Sequence, residues 1–330
     1  MEHEHPSTSV AIVGAGIAGL SAARHLHSAG CTVHVFEKAR GPGGRMSTRR
    51  TNGYEFDHGA QYFTVRHEWF REAVDRWRER GLVEIWPRRV VHVTSGSVRI
   101  DAEGDERFVA VPRMNALCSD LSASLEVTLD SLVSRITLAG GTWTLSSDDG
   151  RELGRFDRVV VTTPPAQAAP LLADAPELAQ QVAAADMQPC WAVMAVFERG
   201  LDSEWDAAFV SESPLSWVAR NASKPGRRED ESWVLHASAE WSAAHIEADP
   251  SKVRDELIAA FSEALGTRRP QTISTSVHRW RYAKTRTPLA SECLHDPERG
   301  IGVCGDWCRG DRVEDAFVSG LSLAKRIAGA

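Results

Sequence analysis

Three features predict an α/β fold in which a doubly wound parallel sheet is joined to a second, mostly antiparallel β layer. An apolar run near the start ends in glycines at G-x-G-x-x-G spacing, and a second run closes on an acid about twenty residues later. A strand–Gly-Asp–helix unit then returns far downstream. Between these blocks the pattern changes to alternating strands interrupted by one long helix.

The first run, Val10-Ala11-Ile12-Val13, reads as a strand buried on both faces. Gly14 permits the tight turn, Gly16 lets backbone approach a pyrophosphate, and Gly19 lets the following helix pack on its strand. That helix is expected over residues 17–28, with Leu20, Ala23 and Leu26 on one face and Gly30 as its stop. A second strand over 32–36 ends in Glu37, whose carboxylate suits the ribose hydroxyls of an adenosine. With the helix N-terminus facing a diphosphate, the block is a Rossmann-type dinucleotide site.

The loop that follows carries Gly43, Gly44 and Arg45, two close-approach glycines and a planar cation for a phosphate oxygen. Next, residues 54–64 combine a short strand, small residues and polar or aromatic side chains, suited to a backbone that grazes a flat ring. Residues 67–80 read as an amphipathic helix, with Phe70, Val74 and Trp77 on its core face and Gly81 at its end. Short strands are expected over 90–100 and 106–111, a helix over 112–124, and strands over 125–129, 132–136 and 143–145. The β-branched run 158–161 reads as another doubly buried strand, and it stops at Thr162-Thr163-Pro164-Pro165 on a carboxyl edge, where open α/β sheets bind ligands.

Strands are then expected over 191–197, 215–220, 233–237 and 275–282. One helix interrupts them, opened by Asp249 and Pro250, striped by Val253, Leu257, Phe261 and Leu265, and ended by Gly266. Residues 222–231 are the most loop-like insertion. No G-x-G-x-x-G occurs within residues 166–285. The chain returns through residues 300–307 to Gly305 and Asp306, then to a helix from Val313. A nicotinamide dehydrogenase has no use for this late unit. A flavin dinucleotide does, because Asp306 can meet ribityl hydroxyls and the helix N-terminus can face the flavin pyrimidine.

Composition narrows the function. The chain has 330 residues, 42% hydrophobic and 25% charged, with a net charge of -7, which argues against a nucleic-acid partner. No apolar run approaches a membrane span. The polar start, residues 1–6, reads as a frayed tail and not as a signal peptide. Six scattered cysteines (Cys31, Cys118, Cys190, Cys293, Cys304, Cys308) form no C-x-x-C pair, so reduced thiols, no metal and a cytoplasmic setting are expected.

Together these blocks resemble FAD-dependent oxidoreductases of the amine oxidase group, and the chain is similar over most of its length to the bacterial branch of the renalases. The resemblance rests on residues 14–19, 40–46 and Gly59-Ala60-Gln61-Tyr62-Phe63-Thr64, on residues 213–217, 219–221, 223–225, 233–237 and 278–280, and on Cys304-Gly305-Asp306-Trp307-Cys308. It implies a p-hydroxybenzoate hydroxylase-like, amine oxidase-like fold holding non-covalent FAD. It also implies oxidation of 1,2- or 1,6-dihydro isomers of NAD(P) to NAD(P)+, the 1,2-dihydro forms being associated with the bacterial branch. Two electrons pass to O2 as hydrogen peroxide. Carried over by position, Ala15, Glu37, Arg45, Ala60, Val133, Asp306 and Val313 line the FAD, and Tyr62, Trp191 and Trp280 contribute to the nicotinamide pocket.

The full set of candidate cofactor contacts is Gly14, Ala15, Gly16, Ile17, Ala18, Gly19, Glu37, Lys38, Gly44, Arg45, Met46, Gly59, Ala60, Gln61, Val133, Thr163, Gly305, Asp306 and Val313. The candidate substrate contacts are Tyr62, Phe63, Thr64, Trp191, Arg220, Asn221, His236 and Trp280. The FAD-binding domain is expected from residues 1–64, 106–165 and 286–330, and the substrate domain from 65–105 and 166–285. No acid–base residue is assigned, because hydride transfer is set by flavin geometry. Two other readings stay open: a flavin amine oxidase acting on a small amine, for which Lys284 is the nearest lysine, and a flavin- or nucleotide-binding protein without turnover. Cys304 and Cys308 also raise the question of covalent flavin attachment.

Overall fold

In the computed structural model, residues 7–87, 89–101, 104–201, 203–266 and 268–329 are described. The tail over residues 1–6 lies outside them. The first layer is a six-stranded sheet in the order Leu294–Asp296, Ile301–Val303, Arg158–Val161, Ser9–Val13, Thr32–Phe36, Glu126–Thr128. All neighbours run parallel except the first pair. Alternate side chains of its central strands feed two separate cores. Val10, Ile12 and Val160 pack beneath the helices Ile17–Ser28 and Val313–Ala328. Ala11, Val13, Val159 and Val161 pack instead on Ile136, Trp143, Leu145 and Phe156, which belong to the antiparallel strands Val133–Ala139, Thr142–Ser147 and Glu152–Phe156. Coverage on both faces is why these strands read as unbroken apolar runs. The fold is therefore the expected mixed α/β architecture with a Rossmann-like layer.

The two helices cross closely. Ser21 Oγ donates to the Phe317 carbonyl at 3.0 Å, and a Cβ at Gly320 would overlap the Ala18 carbonyl. Helix Glu68–Glu79, from the interval expected to join the substrate domain, instead sets Phe70 and Trp77 against Phe317 of this layer.

The second layer is a seven-stranded sheet in the order Thr272–Thr287, Asp186–Phe197, Ser232–Ala237, Leu215–Arg220, Ala207–Ser211, Val90–Thr94, Ser97–Ile100. It is antiparallel except where Ala207–Ser211 meets Val90–Thr94. One face is covered by helix Pro250–Leu265, whose Val253, Leu257 and Phe261 pack on Phe197, Trp233 and Leu235. Asp249 caps that helix by accepting the Ser251 N–H at 2.8 Å, and Gly266 ends it with φ 65°. The strand expected over 275–282 runs over Thr272–Thr287, because it pairs along the whole of Asp186–Phe197. Strands Ala207–Ser211 and Leu294–Asp296 were not apparent from periodicity. Among the described residues, no helix is long and apolar enough to cross a membrane.

Because the helix crossing leaves no room for a methyl group, Gly320→Ala should cost about 1–3 kcal/mol. Urea denaturation of the purified variant measures it, and an unchanged midpoint would contradict this packing.

Candidate active site

A cleft of about 2520 Å³ runs between the two layers. Its floor is the carboxyl edge of the parallel sheet, where the chain leaves Val13 for the helix at Ile17. Gly14 takes φ +109°, a conformation side chains rarely adopt, and a Cβ there would meet Thr162 Oγ1 at 2.6 Å. Gly16 is different: a Cβ would meet nothing within 4 Å, so its bareness makes room on the ligand side. Glu37 closes the floor. Its Oε2 accepts the Ala15 N–H and its Oε1 the Ala39 N–H, both at 2.8 Å. Each oxygen keeps a lone pair for a ribose hydroxyl.

Arg45 and Asp306 face each other across the cleft as a bidentate pair, Nη1–Oδ2 2.7 Å and Nη2–Oδ1 2.5 Å. The cation expected on a phosphate is thus held by the acid expected on the ribityl chain. Asn115 Oδ1, Ser131 Oγ, Thr163 Oγ1 and His58 Nδ1 are buried, border the cleft and have no hydrogen-bond partner. Buried polar atoms without partners are costly. Here they surround a cradle shaped by Gly14, Gly16 and Gly44, and the set fits a long polar dinucleotide such as FAD.

Of the expected cofactor contacts, all but Ala15 and Gly19 border the cleft. Ala15 is buried and acts through its N–H, while a Cβ at Gly19 would overlap the Gly14 carbonyl, so Gly19 serves helix packing. The strap His58-Gly59-Ala60-Gln61 docks on the cofactor loop, with the Ala60 N–H donating to the Arg45 carbonyl at 2.9 Å.

The opposite wall is the uncovered face of the antiparallel sheet. Register puts His278, Ala192, His236, Trp217, Phe209 and His92 in one row across six strands, so their side chains share a face. Trp280 lies two residues along from His278, and its indole N–H donates to the His58 carbonyl at 3.0 Å. His236 Nε2 lies 3.0 Å from the same oxygen. His58 stacks obliquely on Trp280 with ring centroids 4.8 Å apart. Burial holds the His58 imidazole down at about 3, helped by His278 and Arg49, and holds His236 at about 4. Burial and Arg49 hold His278 at about 4. All three are neutral near pH 7.

The expected substrate contacts divide. Tyr62, Phe63, Thr64, His236 and Trp280 border the cleft, although Phe63 is mostly committed to the core beside Phe70 and Phe108. Trp191 reaches the lining from the other face of the sheet, where its N–H donates to the His245 carbonyl at 3.0 Å and Arg279 covers its ring. Arg220 and Asn221 lie outside the cleft. Arg220 pairs with Glu231 at 2.5 Å, and Asn221 bridges the Asp57 N–H and the Glu55 carbonyl. Their spacing beside an apparent loop reads like a binding segment, but long-range partners claim both side chains.

Sequence reasoning passed over His58, His278, Trp217 and a buried charge cluster. The stretch expected to be a loop buries Lys224 and Arg227 against Asp57, at 3.5 and 2.6 Å. Although burial pushes it up, Lys224 and Arg227 hold the Asp57 carboxyl at about 2. Burial in turn pulls Lys224 down to about 8. Lys224 Nζ also reaches Gln61 Oε1 at 3.1 Å, which ties the strap to the cluster. The buried thiols of Cys304 and Cys308 are raised, the latter to about 12, so they are poor nucleophiles. Among the described residues no group of His, Cys, Asp and Glu is placed to hold a metal ion.

A dinucleotide cradle at a Rossmann edge, a late Gly-Asp unit and an antiparallel wall define a flavin-dependent oxidoreductase. The chain belongs to the flavin containing amine oxidoreductase family, which matches residues 79–328, while residues 12–77 match an NAD(P)-binding Rossmann-like domain. Its cofactor is FAD. Among curated proteins, a zeta-carotene-forming phytoene desaturase of Myxococcus xanthus is 46% identical over 50 residues, 15% of this chain and 10% of that protein. A 1-hydroxycarotenoid 3,4-desaturase of Flavobacterium sp. (strain P99-3) is 46% identical over 56 residues, 17% and 12%. The chain thus matches only about a tenth of these relatives' length. Cyclohexylamine oxidase from Brevibacterium oxydans IH-35A shares the fold with a TM-score of 0.79 at 15% identity, over 98% of this chain and 99% of that one. Putrescine oxidase bound to putrescine does so with 0.75 at 14%, over 98% and 99%.

Removing the Glu37 carboxylate leaves the Ala15 and Ala39 N–H groups without their acceptor and deletes both oxygens offered to a ribose. Glu37→Ala should therefore weaken FAD binding at least about tenfold, measured by titrating apoprotein with FAD; unchanged affinity would remove Glu37 from the cradle. The histidine wall predicts a pH limb. An unfolded chain takes up protons below about 6.5 that folded His236 refuses until about 4, so stability falls as pH drops through that window. Urea midpoints between pH 7 and 4 should fall less steeply for His236→Gln than for wild type.

Proposed function

We propose that this protein is an FAD-dependent oxidase of isomeric dihydronicotinamide dinucleotides, the 1,2-dihydro forms of NAD(P) with the 1,6-dihydro forms as further substrates, giving NAD(P)+ and, from O2, hydrogen peroxide. The observation that carries the reading is the sign of the cleft. Eleven Lys and Arg side chains border it against seven Asp and Glu, in a chain whose net charge is -7. Two of those cations are met from outside the lining, Arg107 by Asp101 and Arg50 by Glu55, so an excess of positive charge remains before any diphosphate binds. A positive cleft draws in diphosphates and repels the ammonium form of an amine.

FAD, bound without a covalent link, supplies a flat two-electron acceptor for hydride. The protein's own residues supply position. Trp280, pinned by its bond to the His58 carbonyl, and Tyr62, which follows the strap, both border the cleft and offer aromatic walls for a second flat ring. The neutral histidines keep positive charge away from a pyridine ring that becomes cationic as hydride leaves. No general base is required, because the dihydropyridine nitrogen supplies the electron density.

An oxidase of small amines is the second reading, supported by the family and by Lys284, which borders the cleft on the long edge strand. Anaerobic rapid mixing separates the two. Dihydronicotinamide isomers should discharge the oxidised flavin absorbance and simple primary amines should not; the reverse result establishes the amine reading. Trp280→Ala should slow that reduction about tenfold or more, and steady peroxide release in air would exclude a binder without turnover.

A further inference from the structure

We propose that the indole N–H of Trp217 is the donor that recognises the carboxamide oxygen of the substrate's nicotinamide, an assignment that rests on the dinucleotide reading above. Trp217 is 6% exposed and borders the cleft, and its Nε1 has no hydrogen-bond partner. An indole nitrogen can only donate. The buried indoles of Trp77, Trp86, Trp143, Trp191, Trp233 and Trp307, and the half-buried one of Trp280, donate to oxygens of the protein. Trp217 keeps its N–H for something else.

The surroundings specify what that is. Trp217 stands beside His236 and opposite Phe209 in the cross-strand row. Its ring is braced by Phe209, edge-on at 4.7 Å, and by Tyr62 at 5.3 Å between centroids. Bracing from two sides leaves the indole little freedom, so the donor is aimed before any ligand arrives. The nearby Arg107 guanidinium lies over the Tyr62 ring at 5.2 Å, but Asp101 meets its charge at 2.7 Å. The corner is therefore aromatic, its one cation is met by Asp101, and the Trp217 N–H is the buried donor left unpaired in it. A phosphate demands cations, whereas a flat heteroaromatic amide needs a ring wall and one donor for its oxygen. Tyr62 supplies the wall and Trp217 the donor.

Calorimetric titration of the FAD-loaded protein tests this with three ligands: NAD+, its 3-acetylpyridine analogue, which keeps the carbonyl oxygen, and ADP-ribose, which lacks the pyridine ring. Trp217→Phe keeps a ring and deletes the donor. It should weaken NAD+ and the acetylpyridine analogue about tenfold and leave ADP-ribose unchanged. Equal weakening of all three would make Trp217 a packing residue and overturn the assignment, as would unchanged NAD+ binding. Wild-type protein that binds none of the three overturns the dinucleotide reading and this inference with it. If Trp217→Phe does not retain flavin, wild-type protein decides: the thionicotinamide analogue, whose sulfur accepts poorly, should bind severalfold more weakly than NAD+, and equal affinity overturns the assignment.

Discussion

The Asp57 carboxylate is the point on which the two layers of this molecule are joined. One oxygen accepts the Thr48 hydroxyl at 2.8 Å and the Met114 N–H at 3.1 Å, and the other meets Arg227 and Lys224. Thr48 belongs to the cofactor side, Met114 precedes the helix Ala116–Ser122, and the two cations come from a turn of the antiparallel sheet. Three parts of the chain distant in sequence therefore converge on one buried anion. Losing the Asp57 carboxylate leaves two buried cations without a counter-charge, which costs about 3–5 kcal/mol. Burial, with Arg227 as a second cation beside it, draws Lys224 toward its neutral form while Asp57 stays ionised.

From that anchor the strap 58–61 takes its course, and the strap decides what the cleft becomes. It gives its His58 carbonyl to Trp280 and His236, and its Ala60 N–H to the cofactor loop. One short run of backbone thus fixes the substrate wall relative to the cradle. A flat cofactor and a flat substrate can react face to face only if two walls keep their spacing. In this fold the spacing is carried by main-chain atoms of the strap, bonded on one side to the rings of Trp280 and His236 and on the other to the backbone of Arg45.

Much of the nucleotide layer is legible in the sequence because its signals are local. The glycines at 14, 16 and 19, the acid at 37 and the stop at Gly30 all act within a few residues of where they stand, and the helix at 250–265 carries its own cap in Asp249. The candidate site is legible only where it borrows those signals. Trp191 sits one residue from Ala192, and in a strand one residue is a change of face; which face is set by the irregularity between Gln188 and Cys190. Arg220 and Asn221 are claimed by Glu231 and by the backbone at residues 55 and 57, partners that no spacing announces. Trp217 and His58 gain their meaning from pairings across the sheet and from missing partners, both properties of the assembled molecule.

The order of strands has a consequence for synthesis. Ile301–Val303 lies directly beside Arg158–Val161, and helix Val313–Ala328 crosses the helix that starts at Ile17. A ribosome delivers the dinucleotide fingerprint early, yet the groups that complete its cradle emerge only after residues 301–328 have been made. Until then, the edge of Arg158–Val161 that Ile301–Val303 covers has no strand beside it. The cradle is complete only once that strand and helix slot into place.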